Sequence, residues 1–423
     1  MARRIQDRLV DFRRSLHRYP EPSWCEFLTT SRIVDEVEAI GVDELYIGTD
    51  ALDPEARMGV PNDEELARWH DRAADRGARA DVLDAAAGGL TGLVAVLDRG
   101  SGATVGLRVD IDALRQTESR NDDHDPTAGG YRSKTEGVMH ACGHDAHTTI
   151  GLGTLEAVAE SDFSGTFVLF CQPAEEVVGG GRPMAARGHV DKLDHFLALH
   201  VGLGHPTGEV VAGADEALSV RQLAAEFAGE SAHAGAEPEA GRNVMQAVAT
   251  ATSNLYGIPR NSGGLTRVNV GRADVGSAPN VIASEGRIEL EVRGGNDDLR
   301  EYVADHAYRT LDMAAEMHDC TVETETIATA PREDSDDSLR AVVGDVAAGV
   351  SDVDSVVSTA PLGVSEDATY LMRAAKEAGG DASFVVVGTD HPGGHHTATF
   401  DVDERTLEIG VEVLSGAVER LSG

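Results

Sequence analysis

Four short apolar runs constrain this chain most: Thr91 to Leu97, Ala103 to Val109, Gly165 to Cys171 and His195 to Val201. Each has the length of a strand, is rich in Val, Leu and Phe, and holds few polar residues. Strands of that kind are buried on both faces, as in an α/β sheet covered by helices. Helical stretches accompany them, at residues 4 to 17, 27 to 40 and about 145 to 160. Residues 46 to 90 are polar and rich in Ala and Arg, with one helix expected around 63 to 77, and read as a surface excursion.

The pattern changes near residue 215. A strand at 221 to 227 is followed by a helix at about 242 to 255, strands at 267 to 272 and 287 to 293, a helix at about 297 to 317 and a strand at 321 to 328. That order, β-α-β-β-α-β, is the split pattern of a ferredoxin-like domain. The acidic stretch Pro331 to Ser338 leads back, and residues 338 to 423 supply a helix, a strand at 382 to 387 and a final helix. At 423 residues the chain exceeds a usual single core. The expectation is an α/β domain of residues 1–214 and 330–423, interrupted by a small α+β domain of residues 215–329.

Chemistry concentrates in Met139-His140-Ala141-Cys142-Gly143-His144-Asp145-Ala146-His147. Thiolate and imidazole together suit zinc, manganese or cobalt better than calcium or magnesium. Further candidates follow: Glu175 and Glu176 after the run ending at Cys171, His200 at the end of the next run, and the pair His395-His396 beyond the last strand. All lie at or past the carboxyl ends of expected strands, where open α/β sheets build their sites. Two adjacent carboxylates cannot both easily stay ionised unless a cation neutralises them. One binding metal and the other moving a proton resolves that conflict. A solvated turn with two acids is the bland alternative, and the neighbouring Cys142, His144 and His200 weigh against it.

The charge balance excludes some partners. There are 73 acidic and 36 basic residues, for a net charge of −37, and only Lys134, Lys192 and Lys376 among the basic residues are lysine. No basic stripe exists to neutralise phosphates, so nucleic acid is not an expected ligand. Acid excess with Arg in place of Lys resembles proteins of salt-loving organisms, whose surfaces self-repel unless salt screens them. An acidic face for a basic partner is the rival explanation, though no single acidic block stands out. Cys25, Cys142, Cys171 and Cys320 are far apart and do not form a disulfide framework. The N-terminus lacks the apolar stretch of a signal peptide, and no apolar run is long enough to span a bilayer. A cytoplasmic protein with no membrane partner is expected.

The segments RVDIDAL (108–114), MHACGHDAH (139–147), QPAEE (172–176), ALHV (198–201) and SEDAT (365–369) resemble the metallo-amidohydrolases grouped with aminoacylase, hippurate hydrolase and indole-acetyl-amino-acid hydrolase. The resemblance spans nearly the whole chain. It implies a zinc-peptidase-like catalytic domain, with a mixed sheet flanked by helices, and an inserted ferredoxin-like lid and dimerisation domain. It implies two divalent metal ions, manganese or zinc, held by Cys142, His144, Glu176, His200 and His396, with Cys142 as the bridge. His396 is taken over His395 because it stands at the motif's distance from Phe400. Glu175 matches the general base and Asp112 a buried acid that orients the site. His233 matches an imidazole that reaches the site across a dimer to stabilise an oxyanion, and Asn280 and Arg293 match substrate-holding positions. His140, His147 and His189 are read as supporting or structural.

The implied reaction is hydrolysis of the amide in an N-acyl amino acid, with an aminobenzoyl-glutamate-like substrate favoured. The implied assembly is a homodimer or a heteromer with a related subunit. Rival readings are a hippurate-type or other N-acyl-amino-acid hydrolase, a subunit dependent on a partner chain, and an acidic binding protein with one structural metal.

Overall fold

The computed structural model describes residues 2–391 and 393–422. Each of the four apolar runs is a strand. In chain order the strands are β1 (Glu44–Ile47), β2 (Leu93–Asp98), β3 (Thr104–Asp110), β4 (Thr166–Gln172), β5 (His195–Val201), β6 (Glu209–Val211), β7 (Ala214–Asp215), β8 (Ser219–Ala228), β9 (Thr266–Val275), β10 (Glu285–Gly294), β11 (Thr321–Ala330), β12 (Ser355–Val357), β13 (Ala360–Pro361) and β14 (Asp381–Val387). Two compact units result. One comprises the chain up to Asp215, Glu333–Leu362 and the chain from Glu366 onward; the other comprises Glu216–Arg332 and Gly363–Ser365. The last three residues join the second unit through hydrogen bonds: Leu218 N–H donates to the Val364 carbonyl at 2.9 Å, and the Ser365 hydroxyl to the Leu218 carbonyl at 2.6 Å.

The larger unit is built on an eight-stranded mixed sheet in the order β1-β2-β4-β3-β5-β14-β6-β12. Strands β4, β3, β5 and β14 are mutually parallel, so their carboxyl ends share one edge. Successive residues face opposite sides, and both sides are dry. Val109, Leu169, Leu199 and Val385 pack on one side with the helices His144–Glu160 and Arg405–Ser422. Phe170, Phe196, Ala198 and Phe384 pack on the other with the helix Ala368–Glu377.

The stretch 46 to 90 is not a surface excursion. Leu52, Leu66, Trp69, Ala73 and Leu83 are buried and belong to the second of those cores, and β1 adds an edge strand beside β2. The helix expected there is present as Asp63–Asp75, and its polar composition hid only that its apolar side, Leu66, Trp69 and Ala73, faces inward. Asn62 caps that helix, its side chain accepting from Glu65 N–H at 2.9 Å.

The smaller unit is a four-stranded antiparallel sheet in the order β11-β8-β10-β9. The helices Val244–Leu255 and Asp297–Met317 cover one face through Leu223, Phe227, Ile288, Leu290 and Val292. This is the ferredoxin-like arrangement that the β-α-β-β-α-β order predicts. Among the described residues no helix is long and apolar enough to cross a membrane.

Candidate metal centre

The shared carboxyl edge of β3, β4, β5 and β14 gathers the candidate ligands of the larger unit. Cys142 and His144 flank Gly143, whose φ of 88° lies in the left-handed region. A side chain there would also meet Val201 at 2.6 Å. The helix Ala2–Arg18 braces this turn from behind. Arg13 and His17, both fully buried, reach Asp145 Oδ2 at 2.7 and 2.9 Å, and Arg13 also pairs with Asp401.

His144 is oriented by Asp112. Its Nδ1 lies 3.0 Å from the Asp112 carbonyl oxygen and 3.1 Å from Oδ1. The other carboxylate oxygen of Asp112 accepts from Glu176 N–H at 3.1 Å and from the Ser23 hydroxyl at 2.6 Å. Glu175 and Glu176 occupy a 3₁₀ turn between Ala174 and Val178, both in left-handed backbone. Buried Glu26 pins the turn by accepting from Ala174 N–H at 2.8 Å. His200 donates from Nδ1 to the Val201 carbonyl at 2.8 Å, which leaves Nε2 facing Cys142 Sγ at 3.6 Å. His396 is half exposed and itself adopts φ 61°, sparsely populated for a non-glycine residue. Its N–H donates to the Ala141 carbonyl at 2.8 Å, and its Nε2 lies 3.5 Å from Glu176 Oε2.

The donor atoms fall into overlapping sets, each within 4.8 Å: Cys142, His144 and His200 in one, Cys142, Glu176 and His396 in another. Cys142 is common to both. His144 Nε2 and Glu176 Oε1 are buried and have no hydrogen-bond partner among the described residues. Buried polar atoms without partners are costly, so two such atoms beside a thiol fit a site built for a cation. Electrostatics agree. Burial opposes a proton on His144, yet Asp110, Asp112 and Glu176 push it up to about 10; a metal ion there would displace that proton. Burial, followed by Glu366 and Glu176, pushes Glu175 well above the carboxylate range.

Sequence reasoning missed part of this constellation. Asp110, Glu175 and Glu366 place carboxylate oxygens within 4.8 Å of one another, and Glu366 Oε2 is buried with no hydrogen-bond partner among the described residues, 4.0 Å from Arg108. Arg108, fully buried, offsets this charge through Asp110 at 2.8 Å and Asp367 at 3.3 Å. Asp367 also accepts from Gly180 and Gly181 N–H at 3.0 and 2.8 Å. The available signal was the Glu-Asp pair in SEDAT, directly before the helix Ala368–Glu377.

His147 uses both ring nitrogens, 2.5 Å from Asp110 and accepting from Val201 N–H at 2.9 Å, so it holds β3 to β5. His189 lies against Tyr46 and reaches the Asp50 carbonyl at 2.7 Å, apart from the ligand sets. His140 is buried, and neither ring nitrogen is hydrogen-bonded among the described residues.

The smaller unit carries the remaining candidates. His233 is exposed, and its Nδ1 accepts from Gly235 and Ala236 N–H, both at 3.1 Å. That leaves Nε2 as the proton-bearing nitrogen of the neutral ring. The segment of Asn280 lies alongside, its carbonyl accepting from Ala234 N–H at 3.1 Å. Arg293 projects from β10 and contacts Glu291 at 2.9 and 3.1 Å.

Comparison with known proteins gives concordant matches. The profile of peptidase family M20/M25/M40 matches residues 106–420. The chain is 40% identical over 416 residues to the A subunit of p-aminobenzoyl-glutamate hydrolase from Escherichia coli (strain K12), covering 97% of this chain and 95% of that protein. It is 39% identical over 418 residues to indole-3-acetyl-aspartic acid hydrolase of Enterobacter agglomerans, covering 98% and 95%. The crystal structure of an aminobenzoyl-glutamate utilization protein from Klebsiella pneumoniae superposes with a TM-score of 0.84 at 33% identity, covering 99% of this chain and 97% of that one.

Proposed function

The chain belongs to peptidase family M20/M25/M40, and on that premise we propose that it is a metal-dependent amidohydrolase that cleaves N-acyl amino acids, aminobenzoyl-glutamate-like conjugates among them. The observation that carries this reading is the pair of donor sets sharing Cys142. Cys142, His144, Glu176, His200 and His396 would hold two divalent ions, manganese or zinc. When bound, such ions polarise the scissile carbonyl and acidify water.

The chain's own residues do the rest. Glu175 takes a proton from the attacking water as its oxygen joins the carbonyl carbon. It then gives that proton to the amide nitrogen as the C–N bond breaks, releasing a carboxylic acid and a free amino acid. Asp112 keeps His144 Nε2 and the Glu176 turn aimed at the same place. The Nε2–H of His233, supplied by a second copy or by a related subunit, donates to the oxyanion. Asn280 and Arg293 hold the amino-acid half. The reaction belongs in the cytoplasm.

Release of free amino acid from a panel of N-acyl amino acids tests the proposal. The purified chain is supplied with manganese or zinc in high salt. Metal-dependent release that a chelator abolishes is expected. Binding of one metal ion per chain with no release from any conjugate would sink it.

A further inference from the structure

Resting on that amidohydrolase reading, we propose that Arg267, with Arg260 beside it, selects substrates whose amino-acid half is a dicarboxylate. Arg267 would receive the side-chain carboxylate while Arg293 receives the α-carboxylate.

Strands β9 and β10 pair antiparallel with Arg267 directly opposite Arg293. Residues so placed project from the same face, with Cβ atoms roughly 4.5–5.5 Å apart. Two like charges at that spacing weaken a sheet unless something neutralises them. The alternate residues Val268, Val270, Leu290 and Val292 turn into the core under the helices. The arginines therefore stand on the face that those helices leave open.

The chain has two acids for every base, so a cluster of arginines around one carboxylate departs from its own average. Arg293 has that carboxylate, Glu291. Among the described residues, the guanidinium of Arg267 instead donates to the Thr266 carbonyl at 3.0 Å. Arg260 donates to the same carbonyl at 3.2 Å, which brings a third guanidinium alongside. The open face thus offers planar donor forks with one internal counter-ion between them. A carboxylate is the group that such a fork pairs with on two oxygens at once. A ligand with two carboxylates a few bonds apart satisfies Arg293 and Arg267 together and removes the cross-strand repulsion. A neutral side chain would leave that repulsion in place.

The test compares kcat/KM for matched conjugates of glutamate and glutamine, and of aspartate and asparagine, with the full metal-loaded chain. Wild type should favour each acid over its amide by about 100-fold or more. In Arg267→Gln that ratio should collapse towards one, and Arg267→Lys should recover part of it. Calorimetry with free glutamate and glutamine gives a readout independent of turnover. Wild type should bind glutamate more tightly than glutamine, and Arg267→Gln should not discriminate. Arg267-dependent glutamate binding without hydrolysis of any conjugate would reject the amidohydrolase reading and leave this inference standing. Hydrolysis with no preference for the acids, or a ratio that Arg267→Gln leaves unchanged, would overturn the inference.

Discussion

Asp112 serves His144 and Glu176 at the same time: one carboxylate oxygen lies 3.1 Å from His144 Nδ1 and the other accepts Glu176 N–H at 3.1 Å. A single acid at the end of β3 thereby fixes a ring on one helix and a turn after β4. Asp112→Ala should loosen both. Metal affinity should fall about 10–100-fold, as for other residues that orient metal ligands. Titration of the chain with manganese or zinc measures this. Unchanged affinity would show that the backbone alone sets both groups.

Glu175 and Glu176 are neighbours with separable duties. Glu175→Gln should retain metal and lose about 10²–10⁴-fold in turnover, the usual cost of removing a general acid–base. Glu176→Gln should lose metal content first. Metal analysis alongside rate measurement separates the two. Full turnover in Glu175→Gln would remove it from the proton-transfer role.

The brace behind the Cys142 turn makes stability depend on pH. Burial opposes charge on His17, but its hydrogen bonds to Asp145 and Glu118 outweigh that and raise its pKa from 6.5 to about 9. A pKa raised by folding stabilises the fold fully below 6.5, and this contribution is lost as the pH climbs through about 9. At roughly 1.4 kcal/mol for each tenfold gain in proton affinity, the contribution is on the order of 3 kcal/mol. Urea unfolding at about pH 6 and about pH 10 should show the loss, and His17→Gln should flatten it. Equal losses for wild type and His17→Gln would show that other groups govern the alkaline limb.

The net charge of −37 predicts a salt requirement. Self-repulsion is weakly screened at low ionic strength, where the Debye length is about 30 Å at 0.01 M, and shrinks to about 3 Å at 1 M. The melting temperature should rise steeply over that range in potassium chloride. A flat response would show that the acid excess serves another purpose.

The sequence by itself determined the long strands, the β-α-β-β-α-β order of the smaller unit and the residue types of the candidate ligands, but not the short strands β1, β6, β7, β12 and β13. Runs such as His195–Val201 carry their burial in their composition, and thiol, imidazole and carboxylate carry their metal chemistry wherever they stand. Tertiary structure decided what depends on long-range approach. The stretch 46 to 90 looked solvated because polar residues are interspersed among its apolar ones, and only packing against Trp24 and Phe27 reveals Leu66 and Trp69 as core. Glu366, in the SEDAT segment, has no role legible in sequence, since it lies 191 positions beyond Glu175, and only the parallel order of β4, β3, β5 and β14 brings their carboxylates together. Which nitrogen of His144, His200 or His233 is free was likewise undecided by sequence. It follows from where Asp112, Val201 and Gly235 place their hydrogen-bonding groups, and that is a property of the folded backbone.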